Sequence, residues 1–174
     1  MKAISIRTLL VLAILAVMFP LAARAAGAAG AVNPAFWKHE FRGEFPTVLA
    51  NLKAGLEAKQ FIISGEENLA RGLENNKAIF GLDRWNTIGF KDATAIHFCS
   101  LVINQEVFNL NMDWSILCPF KVVAYTMRNR PGVVTVVTIR PTHLLAQDPH
   151  PRAREVGRRM EQRITEALLE GGGR

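Results

Sequence analysis

From residue 36 onward the chain switches between two hydrophobic periods, one near two residues and one of three to four. Phe36 to Phe41 alternates loosely and predicts a short edge strand that Gly43 ends. Pro46 suits a first helical turn. Phe45, Leu49, Leu52 and Leu56 then recur at three- and four-residue steps, which is one apolar helical face. Phe61-Ile62-Ile63 predicts a short buried strand closed by Ser64-Gly65. Leu69 and Leu73 allow a short helix ended by Asn75-Asn76, whereas Phe80 to Asp92 has no clean period and reads as a loop around Trp85. Long loops inside compact domains are more often functional or mobile than inert.

The second half is more regular. Ala93 to Cys99 predicts a buried strand, and Leu101 to Leu110, with Val102, Val107 and Leu110, a short helix. Phe120 to Met127 and Val133 to Arg140 are rich in β-branched residues, and Asn129-Arg130-Pro131-Gly132 between them is a strong turn signal. Together they predict an antiparallel hairpin. Pro141 and the Asp148 to Pro151 run read as a rigid connection. Val156, Met160, Ile164 and Leu168 lie four apart and form the core stripe of a closing helix. The resulting class is α+β: a small antiparallel sheet with a central hairpin and helices packed mainly on one face.

The first 25 residues follow a different rule. Lys2 and Arg7 precede an unbroken apolar stretch, Leu9 to Phe19, and Ala23-Arg24-Ala25 is a small-x-small cleavage signature. This predicts a secretory signal and a periplasmic or secreted protein. The alternative is an uncleaved membrane anchor, but a spanning helix needs roughly 20 apolar residues, and this stretch is shorter. Residues 26–35 read as a flexible lead-in, 36–170 as a single domain, and Gly171 to Arg174 as a frayed, disordered tail.

Charge alters the picture little. The formal net charge of +6 loses Lys2, Arg7 and Arg24 with the signal and falls to +3. The arginines from Arg152 to Arg163 are interspersed with Glu155 and Glu161, which reads as a solvated helix face. Nucleic acid as a partner is excluded on that mixing, because it calls for an undiluted basic stripe with aromatics.

The candidate chemistry rests on Cys99 and Cys118, the only two cysteines in 174 residues. In an oxidising compartment they read first as a structural disulfide or as buried thiols. A disulfide would close a loop of about 20 residues and add roughly 3 kcal/mol. The alternative is a metal-binding or thiol-redox site, since His97 and Cys99 share one strand face and Cys118 sits at the start of the next strand. A thiolate–imidazole set of His97, Cys99 and Cys118 suits copper or zinc. Trp85, Trp114, Lys121 and Tyr125 are candidates for a pocket or a partner contact. The chain carries no Gly-x-Ser-x-Gly, His-Glu-x-x-His, Walker or Gly-x-Gly-x-x-Gly motif. No catalytic residue is assigned, and a binding role is favoured over an enzymatic one.

Several of these segments carry a family likeness. Leu56-Glu-Ala-Lys-Gln60-Phe61 resembles the helix-to-strand step of domain-of-unknown-function family 302, with Gln60 where that family usually has glycine. Phe98-Cys99-Ser100-Leu101 is similar to its Phe-Cys-Asn-Pro motif, and Pro119 to Tyr125 to its Pro-x-Arg/Lys-Val-x-Val-Tyr strand. The resemblance covers roughly residues 40–170. It implies a small α+β domain, often a homodimer, with no established activity. The expected function is an exported small-ligand or protein-binding domain, with the metal or redox protein as the alternative.

Overall fold

The computed structural model describes residues 33–81 and 84–173, so the predicted signal and the lead-in as far as residue 32 lie outside the described residues. Five strands form one sheet: β1 (Phe36–Arg42), β2 (Ile62–Asn68), β3 (Phe90–Cys99), β4 (Phe120–Met127) and β5 (Val133–Ile139). Their spatial order is β1-β5-β4-β3-β2, and every neighbouring pair is antiparallel. The helices are α1 (Phe45–Ala58), α2 (Leu69–Asn75), α3 (Lys77–Phe80), α4 (Leu101–Phe108), α5 (Pro141–Leu145) and α6 (Ala153–Gly172). A 3₁₀ segment, Met112–Leu117, lies between α4 and β4.

The class is α+β, as the alternating periods predict. Strands have period two, so Ile96 and Phe98 of β3, Val122 and Ala124 of β4, and Val134 and Val136 of β5 all project to one side. Leu52 and Leu56 of α1 and Val156, Met160, Ile164 and Leu168 of α6 close over them as a single core. Each of these side chains larger than alanine contributes roughly 2 kcal/mol by leaving water. The predicted hairpin is β4–β5, and its turn ends at Gly132, whose φ of +70° favours glycine.

Five local expectations change. The strand predicted at Phe61 to Ile63 continues to Asn68, because a bulge at Ser64 shifts its register against β3 and lets pairing resume at Gly65. β2 is an edge strand of the sheet, and Ile62 is 53% exposed rather than buried. β3 starts at Phe90, inside the expected loop, again across a bulge, between Phe90 and Ala93. In α4 the buried side chains are Ile103 and Val107, while Val102 is exposed. Pro141 opens the short helix α5 instead of a plain connection, using its fixed φ at the first turn.

The fifth change concerns the C-terminus. α6 runs through Gly172, and Gly171 and Gly172 are buried where a frayed tail is expected. A Cβ on Gly172 would lie 2.6 Å from Cζ of Phe41. Without a side chain, these residues admit α1 and the Phe41 ring at a distance no larger residue allows.

Candidate functional site

The two cysteines meet. Cys99 ends β3, Cys118 follows the 3₁₀ segment, and their sulfurs are 2.00 Å apart in a disulfide with Cα atoms 5.4 Å apart. The bond fastens the base of the excursion formed by α4 and the 3₁₀ segment. Both half-cystines are half-buried. With the sulfurs bonded to each other, neither is a free thiolate for a metal. His97 points instead towards Glu67, its Nε2 3.8 Å from Oε2. Among the described residues no three His, Cys, Asp or Glu side chains converge as a metal site.

The tryptophans separate. The Trp114 indole donates to Asp148 Oδ2 at 2.5 Å, and the His150 N–H donates to Oδ1 at 2.8 Å. These two bonds, the indole's first, hold the Asp148 carboxyl below its usual range. Trp114 therefore pins the chain between α5 and α6 to the 3₁₀ segment, which is a structural task. Trp85 stacks on Phe80 and meets Phe90 edge-on. It borders a polar cleft of about 330 Å³ shared with Arg71, Asp92 and Arg128. There the β3 bulge turns Asp92 so that Thr126 Oγ1 accepts its N–H and donates to its Oδ2 at 2.7 Å.

Lys121 and Tyr125 lie elsewhere, on the sheet face opposite the core. The core lies on the other side, and this face carries Ala93, Ala95, Val123, Tyr125, Met127, Val137 and Ile139, with Ala95 itself fully buried among its neighbours. An antiparallel sheet with one solvated face ordinarily alternates apolar-in and polar-out. Here β4 and β5 are largely apolar on both sides, with Lys121 and Thr135 the polar exceptions on this one.

The strand register aligns one transverse row across this face. Lys38 pairs with Val137, Val137 with Val123, Val123 with Ala95, and Ala95 with Glu67. A cation thus closes the row on edge strand β1 and a carboxylate closes it on edge strand β2. Glu40, also on β1, is held chiefly by Arg130 in the hairpin turn, which clamps it through both carboxylate oxygens at 2.6 and 2.8 Å, with Lys38 a weaker neighbour. That bond, with the Arg130 charge, holds Glu40 below its ordinary range despite some burial. Sequence reasoning selects Lys121 and Tyr125 but misses Lys38 and Glu67, since only the register brings residues so far apart in the chain into one line.

These strand motifs and this helix order also appear elsewhere. The family described as Domain of unknown function DUF302 matches residues 37–168. The chain belongs to the DUF302 family. Its fold is similar to the crystal structure of an uncharacterized conserved protein DUF302 from Bacillus stearothermophilus, with a TM-score of 0.66 and 16% identity. That match covers 80% of this chain and 99% of the other. At this identity the likeness concerns the DUF302 fold alone. No curated protein matches the chain.

Proposed function

We propose that this DUF302 chain is an exported binding domain whose working surface is the open face of the sheet, and that a second copy of the chain occupies it. The observation that carries this reading is the row Lys38–Val137–Val123–Ala95–Glu67. A two-fold axis lying between two such faces, parallel to β4, turns the row end for end. Lys38 of each copy then stands over Glu67 of the other, Val137 over Ala95, and Val123 over Val123. An isologous contact requires this kind of self-complementarity. Stacked sheets lie about 10 Å apart and cross by about 30°, a displacement that the long side chains at the row ends span.

Burial of apolar area drives such an association. An Asp at the centre of the row meets its own symmetry mate and leaves two charges without partners. Export has separate support, from the Lys2/Arg7, Leu9–Phe19 and Ala23-Arg24-Ala25 pattern. Binding is favoured over catalysis because the sequence has no catalytic motif.

Expression of the full chain in a bacterial host tests both parts. Cell fractionation and N-terminal sequencing are expected to find the protein outside the cytoplasm, beginning at Ala26. Sedimentation velocity is expected to give a dimer for the wild type and a folded monomer for Val123→Asp. A monomeric wild type, or a Val123→Asp variant as dimeric as the wild type, would overturn the sheet-face reading.

A further inference from the structure

A second surface lies in the helical layer, independent of the sheet face. A cleft of about 610 Å³ opens between the β5–α5 junction and the N-terminal half of α6. One wall carries Arg140 and Thr142. The other carries Arg154, Arg158, Glu161 and Thr165, spaced at four, three and four residues along one stripe of α6.

Glu161 is fully used by the protein. Its Oε1 accepts from Arg140 Nε at 2.8 Å, and its Oε2 accepts from the Thr142 N–H at 3.1 Å and from the Thr142 hydroxyl. Burial pushes this carboxyl up, but the Arg140 and Thr142 bonds outweigh it and hold it below its ordinary value. The Arg140 side chain is thereby fixed in place at the cleft wall.

Arg154 and Arg158 differ. Both are exposed, and neither forms an ion pair or hydrogen bond with a described residue. Their neighbours on α6 are committed: Arg159 binds Glu106 and Glu155, and Arg163 donates to the Lys59 carbonyl. The position of Arg154 also costs the helix stability. A cation in the first turn opposes the helix dipole, and like charges four residues apart repel. The chain places two unmatched guanidinium groups four residues apart against one polar cleft.

Three guanidinium groups against one carboxylate leave two positive charges lining the cleft. We infer that it binds a phosphate-type dianion, either a soluble phosphate ester or the phosphomonoester headgroup of a lipid. A tetrahedral dianion offers three terminal oxygens. Two of them suit the forks of Arg154 and Arg158, one helical turn apart. A lone carboxylate carries half the charge and one oxygen fewer.

Isothermal titration of the full-chain protein with inorganic phosphate tests the site. Vesicle flotation compares phosphatidylcholine alone with phosphatidylcholine containing phosphatidic acid. Phosphate is expected to bind more tightly as pH rises through its second ionisation, which for inorganic phosphate lies near neutrality and above that of a phosphomonoester, since the dianion forms there. The double variant Arg154→Gln/Arg158→Gln is expected to weaken binding about tenfold or more. Its melting temperature should be unchanged or slightly higher, since a repulsion is removed. Lys77→Gln, remote from the cleft, is expected to bind as the wild type does. Binding only to phosphatidic acid vesicles, lost in the double variant, would support the lipid source. Absence of binding to either probe, or equal binding by wild type and double variant, would overturn the proposal.

Discussion

Gly55 of α1 and Gly171 of α6 face each other where the two helices cross. A Cβ on Gly55 would lie 2.7 Å from the Gly171 Cα and 2.3 Å from the Ala167 carbonyl oxygen. A Cβ on Gly171 would in turn meet the Asn51 carbonyl oxygen at 2.5 Å. Backbone is the obstacle in each case, so no side-chain rotation relieves it. The crossing places the helical layer on the sheet, and glycine at both positions permits it.

Gly171→Ala is therefore expected to destabilise the protein by about 2–3 kcal/mol, the upper range of overpacking. Gly72→Ala is the contrast. It sits in α2 with nothing within 4 Å of a Cβ, so the gain in helix propensity should leave stability equal or up by about 0.5–1 kcal/mol. Urea denaturation of the two variants measures both. Similar losses from both would sink the crossing argument.

The disulfide makes a separate prediction. It closes a sequence separation of 19 residues, and the chain-entropy treatment of such a loop gives roughly 3 kcal/mol. Cys99→Ser/Cys118→Ser is expected to fold but to melt at a lower temperature. Unfolded wild-type protein should expose no titratable thiol until reductant is added. Two free thiols without reductant would refute the bond.

Glu161 sets an acid limit on stability. Its pKa is lowered in the folded state by Arg140 and Thr142 from an ordinary value of 4.5. The stability it contributes is therefore fully present above about that pH and is lost as pH falls through the lowered folded value. Glu161→Gln is expected to cost about 2 kcal/mol at neutral pH, the scale of a hydrogen bond to a charged group. The variant should also lose less stability than the wild type between pH 5 and pH 3, on a scale of about one group's linkage. Denaturant titrations across that interval compare the slopes; equal slopes would refute the assignment.

Charge exchange tests the row on the open face. Lys38→Glu and Glu67→Lys are each expected to weaken dimerisation by placing like charges opposite one another. Combined, they restore the pairing with its polarity reversed, so the double variant should recover most of the wild-type affinity. A double variant weaker than either single change would show that Lys38 and Glu67 do not face each other across the two-fold axis.

Much of this architecture is legible in the chain because it depends on local periodicity. The four-residue spacing of Val156, Met160, Ile164 and Leu168 specifies the buried stripe of α6. The β-branched run around the 129–132 turn specifies the β4–β5 hairpin. Both follow from which side chains leave water. The bulges at Ser64 and before Ala93 are not legible in this way, because a bulge is set by how two strands meet. The same holds for Gly171 and Gly172: a glycine run reads as a loose end until a neighbouring helix and the Phe41 ring fill the space that the missing side chains leave.

The sequence by itself determined which residues are apolar, at which spacing, and that two cysteines must be accounted for. Only the tertiary structure decided that those sulfurs bond to each other, that Lys38 and Glu67 end one row, and that Arg154 and Arg158 share a cleft with Arg140. Periodicity acts over a few residues, through the pitch of a helix or the pleat of a strand. A row across five strands or a cleft between two elements depends on register and crossing, which exist only once distant segments have packed.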